Sequence, residues 1–103
     1  MLDAAESIAE FVRGKSARDY LASKLLHSAV QWNFAVIGEA LAALNNVDPT
    51  TSARISEYPR IIAFRNQLIH GYRVIDHDIS WTIIQTKLPI LICELRTLLQ
   101  AQA

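Results

Sequence analysis

Cysteine occurs once in these 103 residues, glycine and proline three times each, and neither sign of charge is in excess. Each scarcity excludes something. A lone Cys93 allows no intramolecular disulfide and makes a reducing cytosol the expected setting. Three glycines and three prolines are too few for a turn-rich β fold. Ten basic residues against ten acidic ones leave no global charge footprint for nucleic acid. No apolar segment approaches the length of a membrane span. The opening Met1-Leu2-Asp3-Ala4-Ala5-Glu6 lacks the basic-then-apolar pattern of a signal peptide. The expectation is a cytoplasmic protein with no membrane association. His27, His70 and His77 have no cysteine or carboxylate at a ligand spacing, so neither a metal site nor another cofactor is expected.

What the chain does have is apolar surface. Hydrophobic residues make up 51% of it, high for one small domain over residues 1–103. The surplus points to a second apolar face, most simply a subunit interface. Ala5, Ile8, Ala9 and Val12 form a one-sided helical stripe, with Asp3 as a candidate cap and Glu6 as its box partner. Ser16, followed by Asp19, is the expected N-cap of a second helix. From Ala17 to about Leu44 no proline intervenes, which predicts one long helix. Leu26, Val30, Phe34, Ile37, Leu41 and Leu44 form its inner seam. Leu25, Ala29, Trp32, Val36, Ala40 and Ala43 run along an adjoining side, as expected of a helix covered on two faces. Gly38 is unfavourable mid-helix and suggests close approach of another backbone. Glu39 stands in the same apolar region, where an unpaired carboxylate is costly. Either it pairs with Arg65, a buried pair whose disruption costs about 3–5 kcal/mol, or it reaches solvent at the edge.

Asn45 to Ser52 is dense in turn formers and reads as a loop, with a short helical turn before Pro59. Beyond Ile75, Asp76 or Asp78 can cap a last helix with the seam Ile84, Leu88, Leu91, Leu95 and Leu98. Pro89 kinks it. Cys93 lies in the apolar run Ile90-Leu91-Ile92 and is expected in the core. The architecture is all-α, an up-and-down bundle of four main helices with a short third.

The densest chemistry lies in Arg65-Asn66-Gln67-Leu68-Ile69-His70-Gly71-Tyr72. Proline suits the first turn of a helix and glycine the residue after its end, so residues 59 to 70 read as a helix delivering His70 at its carbonyl end. That end stabilises positive charge. Asn66 and His70, four apart, share a face. Arg65 lies roughly 140° round from His70, and reaches that face by bending over or by meeting a His70 from another chain. Together they can present a cation, an amide and an acid/base to a phosphate. Each also has an ordinary alternative: His70 a local helix-end bond, Arg65 a structural partner for Glu39, Asn66 a cap, Tyr72 a rim residue. Arg54 and Arg60 add positive charge nearby, against Glu57.

This run resembles the signature of the HEPN superfamily. Tyr72, two residues beyond the histidine, makes it similar to the HepT branch. Ile37-Gly38-Glu39-Ala40, Val74-Ile75-Asp76, Ile79-Ser80-Trp81 and Leu88-Pro89 extend the likeness over nearly the whole chain. The sequence departs from it at Arg60, where relatives commonly carry tryptophan after the proline. The resemblance implies a dimerising helical bundle and metal-independent RNA cleavage by an endoribonuclease toxin. Arg65, His70 and Asn66 would be catalytic and Glu39 supporting. It further implies a MntA-type nucleotidyltransferase antitoxin that transfers AMP to Tyr72. It also admits a non-catalytic role, as a helical substrate-binding partner of such a nucleotidyltransferase.

Overall fold

The computed structural model describes residues 1–70 and 75–102, and among these every regular element is helical. In chain order they are α1 (Leu2–Phe11), α2 (Ala17–Ala22), α3 (Lys24–Val47), α4 (Pro49–Ser52), α5 (Tyr58–His70), α6 (His77–Thr86) and α7 (Leu88–Gln102). Four limbs result, because α2–α3 and α6–α7 are each one limb interrupted once. α1 packs on α3 and α7, α5 lies along α3, and α2 covers α6.

The interruptions have local causes. The expected long helix from Ala17 breaks at Ser23, whose extended backbone (φ −110°, ψ 104°) ends α2, while its side chain accepts the Leu26 N–H to start α3. A side-chain acceptor competes with the helix ladder for donors, so serine permits a break without proline or glycine. The expected loop after Leu44 is shorter than its composition implied. α3 continues to Val47, and Asp48 caps the single turn α4 by accepting the Thr51 N–H. At the first helix the expected box is absent: Met1 is the N-cap, without a side-chain bond, and Asp3 lies inside α1. Ser16 and Asp19 do form the reciprocal box on α2. Asp76 accepts the N–H groups of Asp78 and Ile79 to cap α6. The single last helix expected to be kinked by Pro89 is instead two helices, α6 and α7, parted at Lys87.

The seams pack as the periodicity predicts. Val30, Phe34, Ile37 and Leu41 of α3 are buried in one core with Ile84, Leu88, Leu91, Leu95 and Leu98, and with Ile8 and Ile55. Cys93 corrects the expectation of a core position. It is exposed, because the α7 seam runs through Leu91 and Leu95 and turns the residue between them outward. The second side of α3 also faces solvent: Leu25 is 80% and Trp32 71% exposed.

One polar cluster sits where α2, α3 and α6 meet. The rings of His27 and His77 stack 3.6 Å apart and nearly parallel, and Tyr20 lies edge-on to both. Tyr20 is fully buried, which pushes its phenol up from the ordinary value; nearby Ser80 opposes that without reaching good hydrogen-bond geometry. Burial, then the positive charge His27 can carry, lowers His77 below 6.5, against opposing pulls from Asp76 and Asp78. A lowered histidine stabilises the fold fully above the unfolded value and loses that contribution as pH falls below about 6.5. The carboxylates held low, Asp19, Asp48 and Glu57, act only nearer pH 4. Melting temperature should therefore fall between pH 7 and pH 5, and His77→Phe should remove most of that slope. An unchanged slope in the variant would show that the stack does not govern it.

Candidate functional site

α5 is the element that carries the motif. The carbonyl of Glu57 receives the N–H groups of Arg60 and Ile61, and Pro59 sits in the first turn, where its missing donor costs nothing. Glu57 itself takes a left-handed backbone (φ 56°). Its carboxylate is bound by Lys87 at 2.8 Å and Arg60 at 3.1 Å, and the Lys87 contact is the main reason it is held below the usual range. Ile61, Ile62, Phe64 and Leu68 turn inward, with Phe64 edge-on to Phe34 of α3. That packing fixes the rotation of α5 and decides where its polar residues emerge.

Arg65 emerges over α3. Its stem crosses Gly38: a β-carbon built on that glycine would overlap the Arg65 Cβ and lie 2.7 Å from its Cγ and 3.5 Å from its Cα. The close approach expected at Gly38 is therefore made chiefly by a side-chain stem. The guanidinium then divides between two acceptors. Nη2 meets Glu39 at 2.8 Å, and Nη1 donates to the Asn66 amide oxygen at 2.7 Å. Nε is buried without a hydrogen-bond partner.

One of the two bonds is thus to Asn66, which by helix spacing shares a face with His70 one turn further on. With its oxygen occupied, the Asn66 amide keeps its N–H₂ as a donor. His70 is exposed as the last residue of α5. Arg65 thus touches both Glu39 and Asn66, while His70, one turn beyond Asn66 on α5, makes no bond to any of the three. Tyr72 lies outside the described residues.

Three further placements bear on the site. Arg54 is exposed, and Arg60 belongs to the Glu57 pairing, so neither joins Arg65. An apolar cavity of about 210 Å³ lies on the other flank of α5, lined by Phe34, Ile61, Phe64, Leu88 and Leu91. Glu57, Arg60, Lys87 and Glu94 also line it, but its surface is mostly apolar and suits packing better than acid–base chemistry. Among the described residues no group of three or more His, Cys, Asp or Glu could hold a metal ion. The stacked imidazoles cannot chelate one ion jointly, because parallel rings send their in-plane lone pairs along parallel lines. The His27–His77 pairing was invisible in the sequence, since fifty residues separate two partners that only the tertiary fold brings together.

The Glu39–Arg65 pair exists but is not the buried pair considered above. The Arg65 side chain is 18% exposed and that of Glu39 70%. A carboxylate this wet is already solvated, and such pairs contribute about 1 kcal/mol or less. Glu39→Gln should therefore lower the melting temperature by no more than a few degrees. A loss of about 3 kcal/mol in chemical denaturation would show instead that the pair behaves as a desolvated one.

Comparison with known proteins places this sequence in a family. A family model described as "Ribonuclease HepT-like" matches residues 1–98. "Putative RNase MJ1380" of Methanocaldococcus jannaschii is 28% identical over 89 residues, covering 86% of this chain and 81% of that protein. "Putative RNase TTE0752" of Caldanaerobacter subterraneus subsp. tengcongensis is 28% identical over 104 residues, covering 99% and 90%. No solved structure gives a significant match. With the family model spanning residues 1–98, the chain belongs to the HepT-like ribonuclease family.

Proposed function

We propose that this chain is a metal-independent endoribonuclease, the toxin of a type VII-like toxin–antitoxin pair, acting through Arg65, Asn66 and His70. The observation that supports the reading is the Arg65–Asn66 bond, which ties the guanidinium to a residue sharing a helix face with His70. RNA supplies its own nucleophile. The 2′-hydroxyl attacks the adjacent phosphorus as the bond to the 5′-oxygen breaks, leaving a 2′,3′-cyclic phosphate and a 5′-hydroxyl. His70 moves a proton during this exchange. Arg65 offsets the charge growing on the phosphorane, and the Asn66 N–H₂ holds a phosphate oxygen or the imidazole. Such acid–base work contributes about 10²–10⁴-fold, and a fixed cation adds about 10²–10³-fold.

The active form in this reading is a homodimer. Leu25, Trp32, Val36 and Ala43 form an exposed apolar stripe on α3, on the side from which Glu39 also projects. A second copy covering it brings two motif helices to one cleft. Light scattering at micromolar concentration should give twice the chain mass, and Trp32→Glu should reduce it to one. A wild-type monomer that still cleaves RNA would remove the shared cleft from the account.

Cleavage of RNA in excess EDTA is the test of the activity. Arg65→Ala and His70→Ala should each lose at least about 10²-fold, with melting temperature nearly unchanged for His70→Ala. Activity that disappears with EDTA, or survives both substitutions, would sink the reading.

Tyr72 is the proposed off switch. AMP transferred from ATP to its phenol by a MntA-type nucleotidyltransferase would add a phosphodiester with about one negative charge two residues from His70. That phosphate would compete for Arg65 and repel RNA. Co-expression with the nucleotidyltransferase should place the adduct on Tyr72 by mass spectrometry, and Tyr72→Phe should cleave RNA yet escape silencing. A Phe variant silenced like wild type would move the switch elsewhere.

A further inference from the structure

Gly38 has no side chain of its own, and the space beside it is filled from another helix. The Arg65 Cγ would lie 2.7 Å from a β-carbon there, and its Cβ nearer still. Neither could withdraw cheaply, since both belong to the root of the side chain and the Arg65 Cα is itself only 3.5 Å from the same point. Gly14 shows the contrast: its left-handed backbone (φ 72°) explains the glycine, and nothing lies within 4 Å of a β-carbon placed on it. Gly38 sits inside α3, where glycine is intrinsically worse than alanine. Conformation gives no reason for it, so the reason is the space.

We infer that Gly38 is a positioning residue for Arg65: its missing side chain is the slot that lays the arginine stem flat on α3, so that the guanidinium emerges between Glu39 and Asn66. This rests on the proposed role of Arg65 in RNA cleavage. The slot sets direction as well as depth. From Gly38 the next residue along α3 is Glu39, which takes Nη2, while Asn66, next after Arg65 on α5, takes Nη1. Two planar donors therefore meet two acceptors from different helices, and Nε is sealed in the helix crossing. Lifting the stem by one methyl radius moves the head off both acceptors, and displacement of a charge-stabilising group by about 1 Å can cost about 10²-fold in rate.

The test compares wild type, Gly38→Ala, Arg65→Ala and the double variant Gly38→Ala/Arg65→Gly. Three readouts are used: steady-state RNA cleavage, the Arg65 Nε–H resonance in the nitrogen–proton NMR spectrum, and thermal melting. The Arg65 resonance is the one that vanishes in Arg65→Ala. In Gly38→Ala, kcat should fall about 10²-fold while KM changes by about threefold or less. The Arg65 Nε–H resonance should move to the position of a solvent-exposed arginine. The melting temperature should drop despite the better helix former, and the double variant should melt above Gly38→Ala because the obstructing stem is gone. If Gly38→Ala melts higher than wild type and leaves the Arg65 resonance in place, the slot does not exist and the inference is overturned. A double variant that melts no higher than Gly38→Ala overturns it too. Should wild type fail to cleave RNA, the ribonuclease reading fails, while the resonance and the melting curves still decide the slot.

Discussion

The crossing of α5 over α3 at Gly38 is the constraint on which the motif region depends. Two helices approach closely only where side chains leave room, and here one helix contributes a glycine and the other the stem of a charged residue. The apolar anchors on either side, Phe34 against Phe64 and Ile37 among the buried core, hold the pair at that distance. Arg65 is in this way divided between a packed stem and a polar head. Its methylenes complete the packing, and its guanidinium reaches the surface, where Glu39 and Asn66 hold it. Long cationic side chains commonly divide in this way between apolar stem and wet head.

The arrangement also explains why Glu39 sits in an apolar neighbourhood. It is exposed, so it is not a charge trapped in the core; it is a wet acceptor at the mouth of the Gly38 slot. A weak pair suits this place. In the proposed ribonuclease reading, a phosphate arriving at Arg65 would share or replace the Glu39 contact, and a strongly desolvated pair would resist that exchange.

Much of this was legible in the chain. Apolar periodicity located the buried seams of α3 and α7, because burial on one helix face demands it. Ser16 and Asp19 announced their cap and Pro59 announced α5, while of the two alternatives for Glu39 both hold in part: it meets Arg65, yet it also reaches solvent. The failures share a cause. Ser23 breaks a helix through a hydrogen bond that composition does not specify, and Asp48 turns a presumed loop into α4 by the same device. Cys93 faces out because the direction of the α7 seam, and not the polarity of its neighbours, selects the buried positions. The His27–His77 stack depends on two limbs meeting, which no local pattern encodes.

In the dimer proposed above, the Arg65–Asn66 bond favours the reading in which each proposed Arg65–His70 set lies within a single chain. Heterodimers isolated by sequential capture on two different tags test this most directly. A dimer of wild type with Arg65→Ala/His70→Ala keeps one complete set within one chain, and should retain about half of the wild-type rate, as two-fold symmetry requires. A dimer of Arg65→Ala with His70→Ala has no complete set and should be inactive. The opposite pattern, an inactive first dimer and a second retaining about half the rate, would show that arginine and histidine meet across the interface, and would contradict the account.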